Sequence, residues 1–120
     1  MMSITALPHT LEIYLPDRYV DDSSGKLWTF SETFWNGLKS EIIDILMGVE
    51  NCSGLSLRTE QGIYRHPDVG ICEMNNTVIK MHTVESLDDE FINNIVFEIK
   101  NKFHQKEILI KKDGVAYLYY

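Results

Sequence analysis

The most constraining feature of this sequence is a pair of amphipathic helical segments set among strand-like segments. Apolar residues recur every three or four positions from Phe34 to Leu46 and again from Phe91 to Phe103. This spacing places them on one side of a helix. Because each helix has a single apolar side, both should cover the same face of one sheet.

Alternation of apolar and polar residues predicts the strands of that sheet. The pattern covers residues 10–15, two hairpin segments within residues 55–84, and residues 107–111. Asp113-Gly114 then predicts a tight turn, so residues 115–120 should return as a further strand. The order is strand, helix, hairpin, helix, strand, with a hairpin strand added at the end.

Local signals refine these elements. Thr29 followed by Glu32 fits a capping box, which predicts that the first helix begins at Thr29. Gln61-Gly62 and Asn75-Asn76 are expected to interrupt the two strands of the hairpin. Residues 17–26 are rich in polar side chains and are expected to form a loop.

This order of elements predicts an α+β domain with the ferredoxin-like split β-α-β fold. Its antiparallel sheet should carry two helices on one face and an extra strand from the C-terminal hairpin. Right-handed crossovers are expected to place the first strand beside the third and parallel to it. The other face of the sheet should then remain uncovered.

Composition limits the classes of function. A length of 120 residues indicates one domain spanning residues 1–120. A formal net charge of -7 argues against nucleic acid and against an anionic membrane surface as partners. Residues 1–8 do not show the pattern of a secretory signal, and the chain has only two cysteines, so we expect a cytoplasmic protein with free thiols. We expect no metal and no cofactor.

Three local patterns are similar to those of a known group. They are Gly62-Ile63-Tyr64-Arg65 ahead of a turn and Gly70, the strand Thr77-Val78-Ile79-Lys80-Met81-His82, and Phe103-His104-Gln105-Lys106-Glu107 before the last core strand. The chain thereby resembles small uncharacterised bacterial proteins, many of them cyanobacterial or proteobacterial, that form a domain of unknown function. Lys106 departs from the group's pattern. The resemblance implies the ferredoxin-like fold over residues 10–118 and no known activity.

Histidines and cysteines offer two catalytic or metal-binding hypotheses. His9-Thr10 and His82-Thr83 suggest a phosphoesterase pair, but parallel pairing of their strands would hold the histidines about 20 Å apart. His66, Cys72 and Glu73 flank the hairpin turn, and a two-strand turn brings too few ligands together for zinc. Neither hypothesis is favoured, and no catalytic residue is assigned.

The uncovered face is the best candidate for a binding site. Alternation places Glu12 on it beside Lys80, as a pair on neighbouring strands. The candidate ligand-binding residues on the same face are Tyr14, Arg58, Lys80 and His82. Between two stacked faces of a dimer they would line a pocket for an anion or a small polar ligand; an ordinary hydrated face is the alternative.

The C-terminal residues 115–120 are aromatic and carry no charged side chain. As an unguarded edge strand they favour pairing with a second copy of the chain. We therefore expect a homodimer.

Function remains open among three classes. The leading hypothesis is a non-enzymatic binding or interaction module for a small polar ligand. The first alternative is a cofactor-free enzyme of the dimeric α+β barrel type, with His82 or Tyr14 carrying a proton. The second is a phage-type anti-defence or helper protein.

Overall fold

The computed structural model describes residues 2–50, 52 and 54–120. Its elements follow the predicted order, with one small addition. They are β1 (His9–Pro16), β2 (Arg18–Val20), β3 (Leu27–Thr29), α1 (Glu32–Met47), β4 (Leu55–His66), β5 (Gly70–Thr83), α2 (Asp89–Lys102), β6 (Ile108–Lys112) and β7 (Val115–Tyr119). The predicted ferredoxin-like α+β fold with its C-terminal hairpin strand is confirmed.

The main sheet has five strands in the order β4-β5-β1-β6-β7, and every neighbouring pair is antiparallel. The predicted parallel pairing of the first and third strands is therefore wrong. In the split β-α-β arrangement the crossover through α1 joins β1 to β4, and β5 returns between them. Thr10 consequently pairs with His82, and Pro16 pairs with Asn76.

One face of the sheet carries the hydrophobic core. Leu11, Ile13 and Leu15 of β1 lie on this face, because pleating sends alternate side chains to the same side. They pack in one cluster with apolar residues of both helices, including Ile42 and Ile99. Both helices thus cover the same face, as the sequence predicted.

Two predicted local details differ from the structure. The N-cap of α1 is Ser31, whose hydroxyl accepts a hydrogen bond from the Phe34 amide, so the capping box at Thr29 is wrong. Thr29 instead belongs to β3, which follows the predicted loop and pairs with β2, a strand inside that loop. The predicted stop at Gly48 is confirmed, since its amide donates to carbonyls of the last turn.

The β4–β5 hairpin is continuous, so the interruptions expected at Gln61-Gly62 and Asn75-Asn76 are wrong. Twelve residue pairs join the two strands, from Leu55–Met81 to His66–Gly70. Since β1 pairs with β5 only as far as Asn76, residues 61–75 project beyond the rest of the sheet. We call this projecting segment the arm.

Among the residues that the structure describes, no helix is long and apolar enough to cross a membrane.

Candidate functional site

A cleft of about 270 Å³ opens on the sheet face that the helices leave free. The arm borders it on one side, and residues 104–109, from the α2–β6 connection and the start of β6, border it on another. We call it the arm cleft. Its aromatic and apolar lining includes Tyr14, Pro16, Tyr64, Met74, Leu109 and Leu118. Its polar lining includes Arg65, His66, Asn76, His104, Gln105, Lys106 and Glu107.

A glycine in the arm sets the position of Tyr64. A Cβ built on Gly62 would overlap the Tyr64 ring, so the ring lies across the strand where Gly62 leaves space. From there the Tyr64 hydroxyl accepts a hydrogen bond of 2.6 Å from the Asn76 side-chain amide. Asn76 is only 4% exposed, and a buried amide without a partner would cost free energy. Gly62, Tyr64 and Asn76 therefore form one unit in the wall of the arm cleft.

The segment after α2 supplies the opposite wall. His104 follows the helix with φ 50, a left-handed conformation usually given to glycine at this position. The Gln105 side chain then donates 2.9 Å hydrogen bonds to the carbonyls of Arg18 and Phe103. These bonds tie the segment to β2 and to the end of α2.

A polar cluster borders the arm cleft at Tyr14. Arg58 donates from Nη1 to Glu12 at 2.7 Å and from Nε to Glu60 at 2.6 Å. These hydrogen bonds, first to Glu12 and then to Glu60, raise the pKa of Arg58 above its ordinary value. With two carboxylates already bound, the guanidinium has little positive charge to offer an anionic ligand. Its Nη2 lies 3.4 Å from the Tyr14 hydroxyl, so Arg58 helps to position Tyr14.

Lys111 approaches Tyr14 from the neighbouring strand. Its Nζ lies 5.7 Å from the centre of the Tyr14 ring, and interaction with the Tyr14 hydroxyl raises the pKa of Lys111. Tyr14 itself is buried and is the one predicted ligand-binding residue found in the lining of the arm cleft.

The other predicted residues lie elsewhere on the same face. Lys80 pairs in register with Glu12, as expected, although the ion pair of Glu12 is with Arg58. His82 pairs with Thr10 and lies six residues along β5 from Asn76, about 20 Å at the usual strand rise. The structure thus brings Tyr14 and Arg58 close together, whereas Lys80 and His82 lie toward the opposite end of the sheet.

Antiparallel pairing also changes the position of the two histidines. His9 pairs with Thr83, next to the Thr10–His82 pair, so the expected separation of about 20 Å is wrong. Neighbouring positions on a strand face opposite sides of the sheet, which still keeps the two imidazoles apart. His9 instead lies 3.2 Å from the Asp113 carboxylate.

His66, Cys72 and Glu73 do not form a ligand set. By alternation Cys72 faces the arm cleft and Glu73 faces the reverse side. Across the described residues, no three His, Cys, Asp or Glu side chains come close enough to hold a metal ion.

Sequence reasoning missed most of the cleft. It placed the binding residues on the central strands, whereas the walls come from the arm and from residues 104–109. Gly62 two positions before Tyr64 was the available signal, because residues two apart on a strand share a face and a glycine there leaves room for a ring.

Solved structures of a phage SAM lyase are similar to this chain over nearly the whole of both chains. The complex with S-methyl-5′-thioadenosine has a TM-score of 0.60 and 19% identity, and the apo state has a TM-score of 0.61 and 17% identity. Each comparison covers 99% of this chain and 93% of the lyase chain. At this identity the similarity shows the fold alone.

A DUF3240 family protein from Shewanella baltica OS155 is also similar, with a TM-score of 0.42, 17% identity, and coverage of 88% and 87% of the two chains. That score is too low to support a conclusion about function. No family model matches the chain, and no curated protein matches it at a significant level.

Proposed function

We propose that this protein is an S-adenosylmethionine (SAM) lyase that binds its substrate in the arm cleft and releases S-methyl-5′-thioadenosine (MTA). The observation that carries the proposal is the full-length similarity to a phage SAM lyase, a fold that accommodates MTA in that protein. The phage-type alternative from the sequence agrees with it. The same similarity favours the enzyme alternative over a module that only binds a ligand.

The arm cleft has the character that an adenosyl ligand requires. Its volume of about 270 Å³ lies just below the range of about 300–1,000 Å³ for small-molecule sites. Tyr14 and Tyr64 offer aromatic faces, and stacking on such faces is a general way to bind a nucleobase. An aromatic face also attracts a cation such as the sulfonium of SAM.

The proposed reaction balances without a metal or a redox partner. The bond between the sulfonium sulfur and the γ-carbon of the aminobutyryl chain breaks, and sulfur keeps the electron pair as the neutral thioether of MTA. An oxygen of the substrate's own carboxylate forms the new bond to the γ-carbon, which closes homoserine lactone. No proton is transferred, so the residues of the cleft need only bind, orient and exclude water.

The hydroxyl groups of Tyr64 and Tyr14 are held in place by different hydrogen-bond partners. Asn76 fixes the Tyr64 hydroxyl, and Arg58, itself fixed by Glu12 and Glu60, approaches the Tyr14 hydroxyl. Rings held in this way lose less entropy when a ligand binds. In this assignment Arg58 is a positioning residue and does not contact the substrate.

The experiment is incubation of the purified protein with SAM, followed by mass spectrometry for MTA and homoserine lactone. Tyr64→Ala and Tyr14→Ala should each reduce MTA affinity about tenfold, which is the usual value of one stacked base. Phe97→Ala is the control, since Phe97 is an exposed aromatic residue on α2 and does not line the cleft. Absence of SAM turnover would overturn the proposal, whether or not MTA binds.

A non-enzymatic binding module is the second candidate. It is favoured by the fact that polar groups of the cleft already have protein partners: Asn76 binds Tyr64, and Gln105 binds two carbonyls. MTA binding without SAM turnover would select this candidate. A cytoplasmic location, where SAM is available, stays a prediction.

We also propose that the chain forms a homodimer through β7. This edge strand has no charged residue between Val115 and Tyr119, and Val115, Tyr117 and Leu118 are exposed. The opposite edge, β4, carries Arg58, Glu60 and Arg65, and charges of this kind discourage pairing. Removal of residues 117–120 should halve the mass measured by light scattering, whereas an unchanged mass would exclude pairing through β7.

A further inference from the structure

The reverse side of the arm carries apolar side chains that are exposed to solvent. Tyr64 lies on the cleft side, so residues at alternate positions of both strands direct their side chains to the reverse side. The reverse side thus carries Ile63, Arg65, Ile71 and Glu73, all of them exposed. The two isoleucines are 69% and 70% exposed. Arg65 therefore borders the arm cleft but directs its side chain away from it.

The arm is a two-stranded ribbon with only one of its sides covered. On the cleft side Cys72 and Asn76 are buried, whereas the reverse side is exposed. An isolated two-stranded hairpin is only marginally stable in water and needs a third strand or packing against another layer. Since β1 pairs with β5 only as far as Asn76, the third strand is missing here. We therefore expect another surface to pack against the reverse side.

The four side chains of the reverse side form a pattern that is complementary to itself. Ile63 pairs with Glu73, and Arg65 pairs with Ile71. The two isoleucines are therefore diagonal neighbours, and the two opposite charges occupy the other diagonal. A two-fold axis along the isoleucine diagonal places each isoleucine near its own copy and Arg65 near the partner's Glu73. An interface between two identical patches requires this self-complementarity.

The charges of the reverse side are available for such a contact. Within the described residues Arg65 forms no ion pair. Glu73 accepts a 3.1 Å hydrogen bond from the neutral side chain of Gln61. Leu57, on the same side of β4 by alternation, is 50% exposed, so the apolar strip continues from the arm along the edge of the sheet.

We propose that the reverse side of the arm is an interface with a second copy of this chain, in which two arms pack face to face across a two-fold axis. Isoleucine contacts exclude water at its centre, and Arg65 of each copy pairs with the partner's Glu73. The interface is separate from β7, because the arm and β7 lie at opposite ends of the strand order. It covers the arm and so holds one wall of the arm cleft in place, whatever ligand the cleft binds.

Charge reversal tests this arrangement in light scattering with the full chain. Loss of one exposed charge pair weakens a contact only slightly, whereas Arg65→Glu brings two carboxylates together across the interface, which is strongly unfavourable. Arg65→Glu should reduce the measured mass by a factor of two or more, whether or not β7 also pairs two chains. Glu73→Arg should have the same effect. The double variant Arg65→Glu, Glu73→Arg should restore the mass, because the pair then forms with its charges exchanged.

Lys26→Glu is the matched control, because it makes the same change of charge at an exposed position in the loop before β3. It should leave the mass unchanged. Equal masses for the unmodified protein and Arg65→Glu would overturn the proposed interface. A loss of mass that the double variant does not restore would also overturn it, since Arg65 and Glu73 would then not face each other. Neither result bears on SAM turnover, which is measured separately.

Discussion

The two faces of the sheet bury residues by different means. On the helix-covered face, Ile13, Ile79 and Ile110 are fully buried under apolar side chains of α1 and α2. On the face without helices, Val78 is also 0% exposed, yet its strand neighbours are Tyr14 and Arg58. Here polar and aromatic side chains replace a covering helix.

The difference separates stability from binding. Apolar packing on the covered face is dense and has no group that a ligand could use. On the other face, side chains are held by directional hydrogen bonds, and the arm leaves a cleft between them. We therefore expect substitutions on the covered face to reduce the free energy of unfolding and substitutions on the cleft face to reduce ligand affinity.

The largest expected effect is on the covered face. Phe103 is 0% exposed and packs against the rings of Phe30 and Trp35. Phe103→Ala should lower the free energy of unfolding by about 3–5 kcal/mol in urea denaturation. Phe97→Ala on α2, the helix that ends just before Phe103, is the control, because Phe97 is 64% exposed and should change stability by less than about 0.5 kcal/mol. Similar losses for both would contradict the burial of Phe103.

The next effect concerns the arm. Gly62→Ala should displace the Tyr64 ring and leave the buried Asn76 amide unpaired, which costs about 1–3 kcal/mol and weakens MTA binding. Gly54→Ala is the control, since a Cβ there meets no atom. In the double variant Gly62→Ala, Tyr64→Ala, the two effects should not add, because the ring that causes the overlap is gone. Full additivity would show that Gly62 has another role.

A smaller effect is expected in the polar cluster. Arg58→Ala removes the partner of Glu12 and Glu60 and frees Tyr14, so it should weaken MTA binding more than it changes the urea midpoint. Raising the salt concentration should shrink the stability difference, since Arg58 is 41% exposed and such pairs are screened. Arg65→Ala is the charge-matched control for stability. A large, salt-independent loss would contradict this description of the cluster.

The smallest effect is expected at the β6–β7 turn. Hydrogen bonds, first from the Thr10 amide and then from His9, hold the pKa of Asp113 below its ordinary value of 3.8. The stabilisation is therefore present above about pH 4 and is lost as pH falls through the lowered pKa of the folded state. Asp113→Asn keeps a residue suited to the left-handed backbone at this turn and removes the charge. Its stability should fall below that of the unmodified protein at neutral pH and converge with it in acid.

Urea midpoints measured from pH 7 down to about pH 3 check this convergence. A difference that is constant with pH would contradict the role of the Asp113 charge.

Local pattern was enough to predict the elements and the covered face. The spacing from Phe91 to Phe103 predicted α2 within one or two residues of its observed bounds. Asp113-Gly114 predicted a turn, and both of its residues have positive φ. Local pattern failed where the turn preference of a residue pair competed with strand pairing. Asn75-Asn76 reads as a strand break, but Asn76 pairs in register with both Pro16 and Glu60, and the ladder keeps it extended.

The site depended on contacts between residues distant in the chain. Tyr14 could be placed on the free face from alternation alone. The contact between Tyr14 and Arg58 depends on the strand order β4-β5-β1. The wrong prediction of parallel strands shows that strand direction does not follow from periodicity. Nothing local links the arm to residues 104–107, which are about forty positions later in the sequence and meet it only across the cleft.

The sequence by itself determined the two helices, the positions of the strands of the main sheet, and that both helices cover one side of that sheet, because periodicity and burial act over neighbouring residues. Only the tertiary structure decided that the strands are antiparallel, that a continuous hairpin projects as an arm, and that a cleft forms beneath it. Those outcomes follow from strand register and packing between distant segments, and the local patterns of one sequence do not predict which distant segments are in contact.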